Sequence, residues 1–293
     1  MRRMRRSMLY VPGNNPGMIR DVHIYRSDAI MFDLEDSVSL NEKDAARMLL
    51  YNSLLTFDFG QAEILVRVNG LNTAFGRDDF EAIVRARPDA IRLPKTDTPE
   101  DVVEADELIS GIERQSGIET GSIKLVAAIE SALGVINAPR IAMASGRLIG
   151  MALGAEDFVT DLKTSRSADG IELLTARSMV LFAARAAGID AFDTVFPDVN
   201  DEEGFIREVK LIKQLGFDGK SIINPRQIEI VHQIFTPTEA EITYAMRVLE
   251  AIREAESKGS GVISLNGKMI DKPIVERARR VLAFAEAAGG QAG

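Results

Sequence analysis

Two acidic residues end consecutive apolar runs of this chain: Glu130 closes KLVAAIES and Asp157 closes LIGMALGAED. Their separation matches the roughly 30 residues of one βα unit in a barrel of about 250, so the carboxylates are expected to be neighbours on one rim. No histidine or thiol accompanies them, which leaves hard oxygen donors only. Mg²⁺ commonly takes one or two carboxylates and completes its octahedron with substrate and water, and Glu130 and Asp157 are assigned to it. The same acids also sit where a helix N-terminus follows a βα loop, and a capping role there has its own stabilising logic. The pattern alone does not separate the two.

Other polar residues follow other apolar runs. FDLED carries Asp33, Glu35 and Asp36, ILVRVN carries Arg67 and Asn69, and AIRLPK carries Arg92 and Lys95. A guanidinium at Arg67, inside a run of Ile, Leu and Val, is costly unless a carboxylate or a charged ligand neutralises it. An internal ion pair with Asp33, Glu35 or Asp36 would do so too. Lys95 is read as a surface or carrier-binding residue. An imine-forming lysine would duplicate the electron sink that a metal supplies. Asp271, in NGKMIDKP, reads by itself as an N-cap to the last helix.

Composition narrows the chemistry further. The chain has 293 residues, 46% of them hydrophobic, and no cysteine. Disulfides, zinc–thiolate sites and cysteine nucleophiles are excluded, which suits a reducing cytoplasm, the expected location. A formal charge of −9 opposes the phosphate attraction behind nucleic-acid affinity. His23 and His232 are the two histidines; both fall in helical patterns and receive no catalytic role. The start, MRRMRRSMLYVPG, is basic, but its apolar run stops at Pro12 and Gly13, too soon for a signal core or a membrane span. Neither phosphate-loop nor dinucleotide glycine fingerprints are present.

The elements that must position these side chains alternate. Short apolar runs occur at Ser7–Val11, Ala29–Leu34, Ile64–Val68, Ala90–Leu93, Lys124–Ile129, Leu148–Leu153, Ala191–Val195 and Gly219–Ile223. Helical spacing appears between them, as in Lys43–Thr56, Asp78–Arg87, Pro99–Gln115, Glu172–Ala187 and Glu202–Leu215. Runs apolar on both faces imply strands covered on both sides. About eight such units in roughly 250 residues predict a closed (β/α)₈ barrel over residues 1–236, with a doubly wound open sheet as the alternative. After Thr236-Pro237 the rhythm changes, and residues 237–293 are read as a helical extension packed outside the barrel. It contains Glu239–Glu256, the glycine-rich turn KGSGVISLNGK and a helix from Pro273, and its last residues, GGQAG, are expected to fray.

Taken in order, SMLYVPGNNPGM, DAIMFDLEDSV, VRVN, RLPKTD, AAIES, ALGAEDF, DGKSIINPRQI and NGKMID resemble the citrate lyase beta-subunit family, from about Ser7 to Arg280. Eight motifs in unbroken order leave chance agreement negligible. The resemblance, which extends to malyl-CoA lyases and related aldolases, implies a (β/α)₈ TIM barrel, Mg²⁺ on Glu130 and Asp157, a substrate-binding arginine at Arg67 and a catalytic aspartate at Asp271. Relatives deliver that aspartate from a neighbouring subunit, so a homo-oligomer is implied. The partners implied are the citrate lyase alpha subunit and an acyl carrier protein (gamma) subunit.

On this reading a citryl thioester, on acyl carrier protein or CoA, is cleaved to oxaloacetate and an acetyl thioester. The backbone N–H groups of Ala155, Glu156 and Asp157 are expected to hold a substrate carboxylate. Arg67 steadies the enolate, and Asp271 moves a proton as acid or base. Two rivals stand beside it: a stand-alone citramalyl-CoA or malyl-CoA lyase with the same metal and arginine chemistry, and a non-catalytic scaffold subunit. A scaffold has no need of Arg67, Glu130, Asp157 and Asp271 together.

Overall fold

The eight runs all take up extended backbone, because Val, Ile, Leu and Met pack well on a pleated surface buried from both sides. In this computed structural model, which describes residues 3–257, 264–265 and 268–289, they form β1 (Ser7–Pro12), β2 (Ala29–Asp33), β3 (Glu63–Arg67), β4 (Ala90–Leu93), β5 (Lys124–Ile129), β6 (Leu148–Leu153), β7 (Asp190–Asp193) and β8 (Gly219–Ile222). Each pairs in parallel with the next, and β1 also pairs with β8 through Ser7–Lys220, Met8–Ser221 and Leu9–Ile222. That last pairing closes the sheet and rules out the open doubly wound alternative. The fold is a (β/α)₈ TIM barrel.

Helices cover the outside: α1 (Pro16–Asp21), α2 (Lys43–Thr56), α3 (Gly76–Ala86), α4 (Pro99–Gln115), α5 (Ala132–Ala142), α6 (Ala155–Asp161), α7 (Ile171–Ala187), α8 (Glu202–Leu215) and α9 (Arg226–Phe235). Local chemistry sets their ends. Thr98 and Asp101 form a reciprocal capping box at the start of α4, with Pro99 in its first turn, and Ser131 caps α5 through the Gly134 N–H. Gly216 ends α8 at φ 110°, a conformation that a side chain resists. Spacing did not single out α1, α5 or α6. The first and third are 6 and 7 residues long, too short to show a period, and α5 carries Pro139 in its interior.

Inside the barrel, Met8, Ala29, Met31, Leu65, Ala90, Val126, Ala152 and Phe192 form a fully buried layer. It plugs the interior, so polar residues further along the same strands are displayed at the C-terminal rim.

Two compact units emerge from the packing, Arg5–Val231 and a second comprising Met1–Met4 with His232–Gly293. The second contains α10 (Glu239–Ser257), the two-residue strands β9 (Ser264–Leu265) and β10 (Lys268–Met269), and α11 (Lys272–Gly289). Ala245, Val248, Ile270, Val275 and Ala278 are its buried core. The antiparallel pair β9–β10 begins in the glycine-rich stretch read from sequence as a turn and ends at Met269, just past it. The rest of that stretch, and the tail after Gly289, lie outside the described residues. No described helix is long and apolar enough to cross a membrane.

Candidate active site

The C-terminal ends of the strands surround a cavity of about 490 Å³ lined by Tyr10, Asp33, Arg67, Arg92, Glu130, Gly154 to Asp157, Thr194 and Ser221, among others. Arg67, Glu130, Ala155, Glu156 and Asp157 are therefore together on one rim. A neighbouring cavity of about 570 Å³ shares Asp36 with it and is lined by Glu35 and Lys95. It lacks Glu130, Asp157 and both arginines, so the chemistry belongs to the smaller cavity.

One residue ties the two acids together. The Lys95 backbone N–H donates to Glu130 Oε2 at 3.1 Å, and its ammonium lies 3.3 Å from Asp157 Oδ2. It can do both because its backbone sits at φ 44°, the left-handed region that costs a non-glycine residue about 1 kcal/mol or more. The Lys95 ammonium also hydrogen-bonds Glu35. Burial works against that charge, but the hydrogen bond and charge of Glu35 outweigh it and hold the lysine above its ordinary range. Lys95 is exposed, as a surface lysine should be, yet its head is engaged at the rim, a placement that Pro94-Lys95 does not announce in sequence.

Glu130 is 5% exposed and packs directly on Gly154, where an added Cβ would fall 2.5 Å from its Oε1. Glycine at 154 is thus needed for the carboxylate to reach the rim. Asp157, on the first turn of α6, is more open, with 45% of its side chain exposed. Among the described residues no three acidic or histidine side chains converge as a complete metal cage. Two hard carboxylates beside an open, water-accessible cavity still fit Mg²⁺, which keeps several waters and dehydrates reluctantly. The donor set does not fit a soft or thiolate-preferring ion.

Arg67 answers the question left open by the sequence. Its Nε and Nη2 close on Asp33 at 2.7 and 2.8 Å. Its Nη1 stands 2.9 Å from Glu35 Oε2 and 3.4 Å from Asp36 Oδ2. Burial opposes the charge of Asp33, but Arg67 outweighs it and holds the carboxyl below its ordinary value. The 2.9 Å contact is off the N–H axis, so Glu35 Oε2 stays buried without a hydrogen bond. Burial accordingly pushes the Glu35 carboxyl up to about 7, against the pull of Arg67 and Lys95. Asn69 is spent on structure: its side-chain amide donates to Leu34 O and Asp79.

At the start of α6, the Ala155 N–H already donates to Thr194 Oγ1 at 3.0 Å, so this amide is engaged within the protein. The Glu156 side chain pairs with Arg166 at 3.1 Å. Asp271 belongs to the C-terminal unit, where its Oδ1 accepts from Ile274 N at 3.1 Å and caps α11.

Sequence reasoning gave no role to Tyr10, Thr194 or Ser221, and none to Arg92. Tyr10 is the partner of both arginines, whose guanidiniums stand 5.3 Å (Arg67) and 5.6 Å (Arg92) from its ring centroid. An arginine inside the short run AIRL was the available signal.

Comparison with known proteins bears on this site. Residues 6–225 match the model of the HpcH/HpaI aldolase/citrate lyase family, and residues 162–289 match that of the C–C bond lyases of the TIM-barrel fold. The chain is 58% identical over 285 residues to the citrate lyase subunit beta of Leuconostoc mesenteroides subsp. cremoris, covering 97% of this chain and 94% of that one. It is 39% identical over 282 residues to a (3S)-malyl-CoA thioesterase of Cereibacter sphaeroides, covering 96% and 95%. The crystal structure of protein CitE from Mycobacterium tuberculosis, in complex with magnesium, acetoacetate and coenzyme A, superimposes with a TM-score of 0.80 at 30% identity. That match covers 98% of this chain and 100% of that one.

Proposed function

The chain belongs to the HpcH/HpaI aldolase/citrate lyase family and is a carbon–carbon lyase of the citrate lyase beta type, and on that premise we propose that it cleaves a citryl thioester to oxaloacetate and an acetyl thioester. The observation that carries this reading is the placement of Glu130 and Asp157, both tied to Lys95, on a cavity that two arginines share.

The reaction is a retro-Claisen cleavage. A base removes the tertiary hydroxyl proton, the electrons of that O–H bond form the ketone, and the C–C bond breaks toward the thioester. The enolate so formed takes up a proton at carbon and leaves as the acetyl thioester. Glu130 and Asp157 would hold Mg²⁺, which when bound supplies a Lewis acid for the hydroxyl and the emerging ketone. The crystal structure of a relative with magnesium supports this cofactor.

This chain's own groups do the rest. With the Ala155 amide engaged by Thr194, the first-turn N–H groups of Glu156 and Asp157 are left to receive a substrate carboxylate. Arg67, held by Asp33 through Nε and Nη2, would exchange the long 3.4 Å hydrogen bond from Nη1 to Asp36 for one to the thioester oxygen as negative charge develops there. Lys95 holds Glu130 and Asp157 in register before substrate arrives. Asp271 is the proton-transfer residue, delivered by segment 237–293 of a neighbouring copy in a homo-oligomer. The protein partners are the citrate lyase alpha subunit and the acyl carrier gamma subunit, and the location is the cytoplasm.

Purified protein with Mg²⁺ and citryl-CoA should release oxaloacetate. Glu130→Gln and Asp157→Asn should each lower turnover by about 10³-fold or more and weaken Mg²⁺ binding in titration calorimetry. Asp271→Asn should lose turnover by about 10²–10⁴-fold while binding Mg²⁺ normally. Unchanged magnesium affinity in both acid variants would remove the assignment, and glyoxylate or pyruvate released from malyl- or citramalyl-CoA in preference would replace the substrate.

A further inference from the structure

Arg92 is 2% exposed, lies on β4 inside the barrel and lines the cavity that holds Glu130 and Asp157. Among the described residues, no carboxylate stands within ion-pair distance of it, and its one hydrogen bond runs from Nη1 to Ser221 Oγ at 3.5 Å, at the limit of such a contact. Its Nε is buried with no partner. Its register neighbour on β3 is Arg67, so two guanidiniums share one rim and one tyrosine ring. Asp33 neutralises Arg67 through a closed fork. Nothing comparable neutralises Arg92.

A buried guanidinium without an anion is costly unless a ligand completes it, and the group that matches its planar fork is a carboxylate or a phosphate. The thioester chemistry proposed above supplies a carboxylate and says which one. A citryl thioester carries two. The first is on the carbinol carbon beside the hydroxyl and belongs with the two metal-binding acids. The second ends a CH₂ arm on the carbinol carbon, where citramalyl carries methyl and malyl only hydrogen. After cleavage it is the distal carboxylate of oxaloacetate, and pyruvate lacks it.

We infer that Arg92 is the specificity residue of this lyase, binding the distal carboxylate of the substrate and of the oxaloacetate product through its under-satisfied guanidinium. The Tyr10 ring, 5.6 Å from the guanidinium carbon, backs the fork before the ligand arrives. This rests on the citryl-thioester reading, but it concerns a dicarboxylate site that binding alone can test.

The test is titration calorimetry in Mg²⁺ with fresh oxaloacetate and with pyruvate, which differ only in that carboxylate. The native protein should prefer oxaloacetate, and Arg92→Met should weaken oxaloacetate by about 10–100-fold, the range expected for a charge-assisted bidentate contact, with pyruvate changed by less than about threefold. Arg92→Lys, which keeps the charge and loses the fork, should restore part of the preference. Equal weakening of both ligands in Arg92→Met, or a native protein indifferent between them, overturns the inference. Citryl-CoA turnover, measured separately on native protein, decides the lyase reading: a selective loss of oxaloacetate binding in Arg92→Met without such turnover keeps this site and rejects that substrate.

Discussion

Arg177 and Arg92 are buried to nearly the same degree, 0% and 2% exposed, and they face opposite circumstances. Arg177, on α7, closes a fork on Asp193 at 2.8 and 3.0 Å and also meets Glu208 at 2.9 Å. Lys220 joins the same two acids and the Thr194 carbonyl. Arg166 also reaches Glu208 at 2.8 Å, so three cations share two anions where β7 and β8 meet the outer helices. Burial works against the Asp193 charge, but Lys220 and Arg177 overcome it and hold the carboxyl below its ordinary range. Across the barrel mouth the matching is incomplete: Arg92 Nε and Glu35 Oε2 are both buried without a hydrogen bond. A saturated network holds a fold together, whereas an unsaturated one keeps capacity for a ligand. Residue type and burial are alike in the two places; the partners differ.

The largest effect that could break this contrast is in the saturated network. Asp193→Asn leaves Arg177 and Lys220 short of an anion in a buried site and should lower unfolding free energy by about 3–5 kcal/mol, read from urea denaturation. A loss under about 1 kcal/mol would show that the network is not what stabilises that side of the barrel.

At the rim, pH provides the next test. The Glu35 carboxyl is raised from an ordinary value of 4.5 to about 7 in the fold, so the native state holds its proton more tightly than the unfolded chain. Its stabilising contribution is complete below about pH 4.5 and is lost as pH rises through about 7, a change on the order of 3 kcal/mol. In magnesium-free buffer, Glu35→Gln should remove that part of the slope in stability between these limits. An unaltered slope would mean that other groups carry it.

The smallest effect sharpens the comparison most. Because Arg92 has no anion to lose among the described residues, Arg92→Met should leave ligand-free stability unchanged or raise it by about 1 kcal/mol. A drop of more than about 2 kcal/mol in thermal or urea unfolding would reveal a structural partner and place Arg92 beside Arg177.

Much of the fold was legible because its signals are local. Helices Lys43–Thr56, Pro99–Gln115 and Glu202–Leu215 have the bounds that periodicity and capping set, and all eight strands appear within a residue or two of their apolar runs. Strands buried on both faces need no alternation, which is why an uninterrupted apolar run identified them. Glu130, Asp157 and Arg67 could be found as strand-end polar residues, since a barrel displays that end of every strand. What Lys95 touches was not legible, for the opposite reason: its contacts with Glu35 and Asp157 are with neighbours 60 and 62 positions away.

The sequence by itself therefore determined the barrel, the family and the side chains available at its mouth, because apolar period, turn chemistry and motif order are properties of short stretches of chain. Only the tertiary structure decided which of two arginines is neutralised and which is left open. Ion pairs form or fail within a few ångströms, among residues that closure of the barrel brings together from distant parts of the chain.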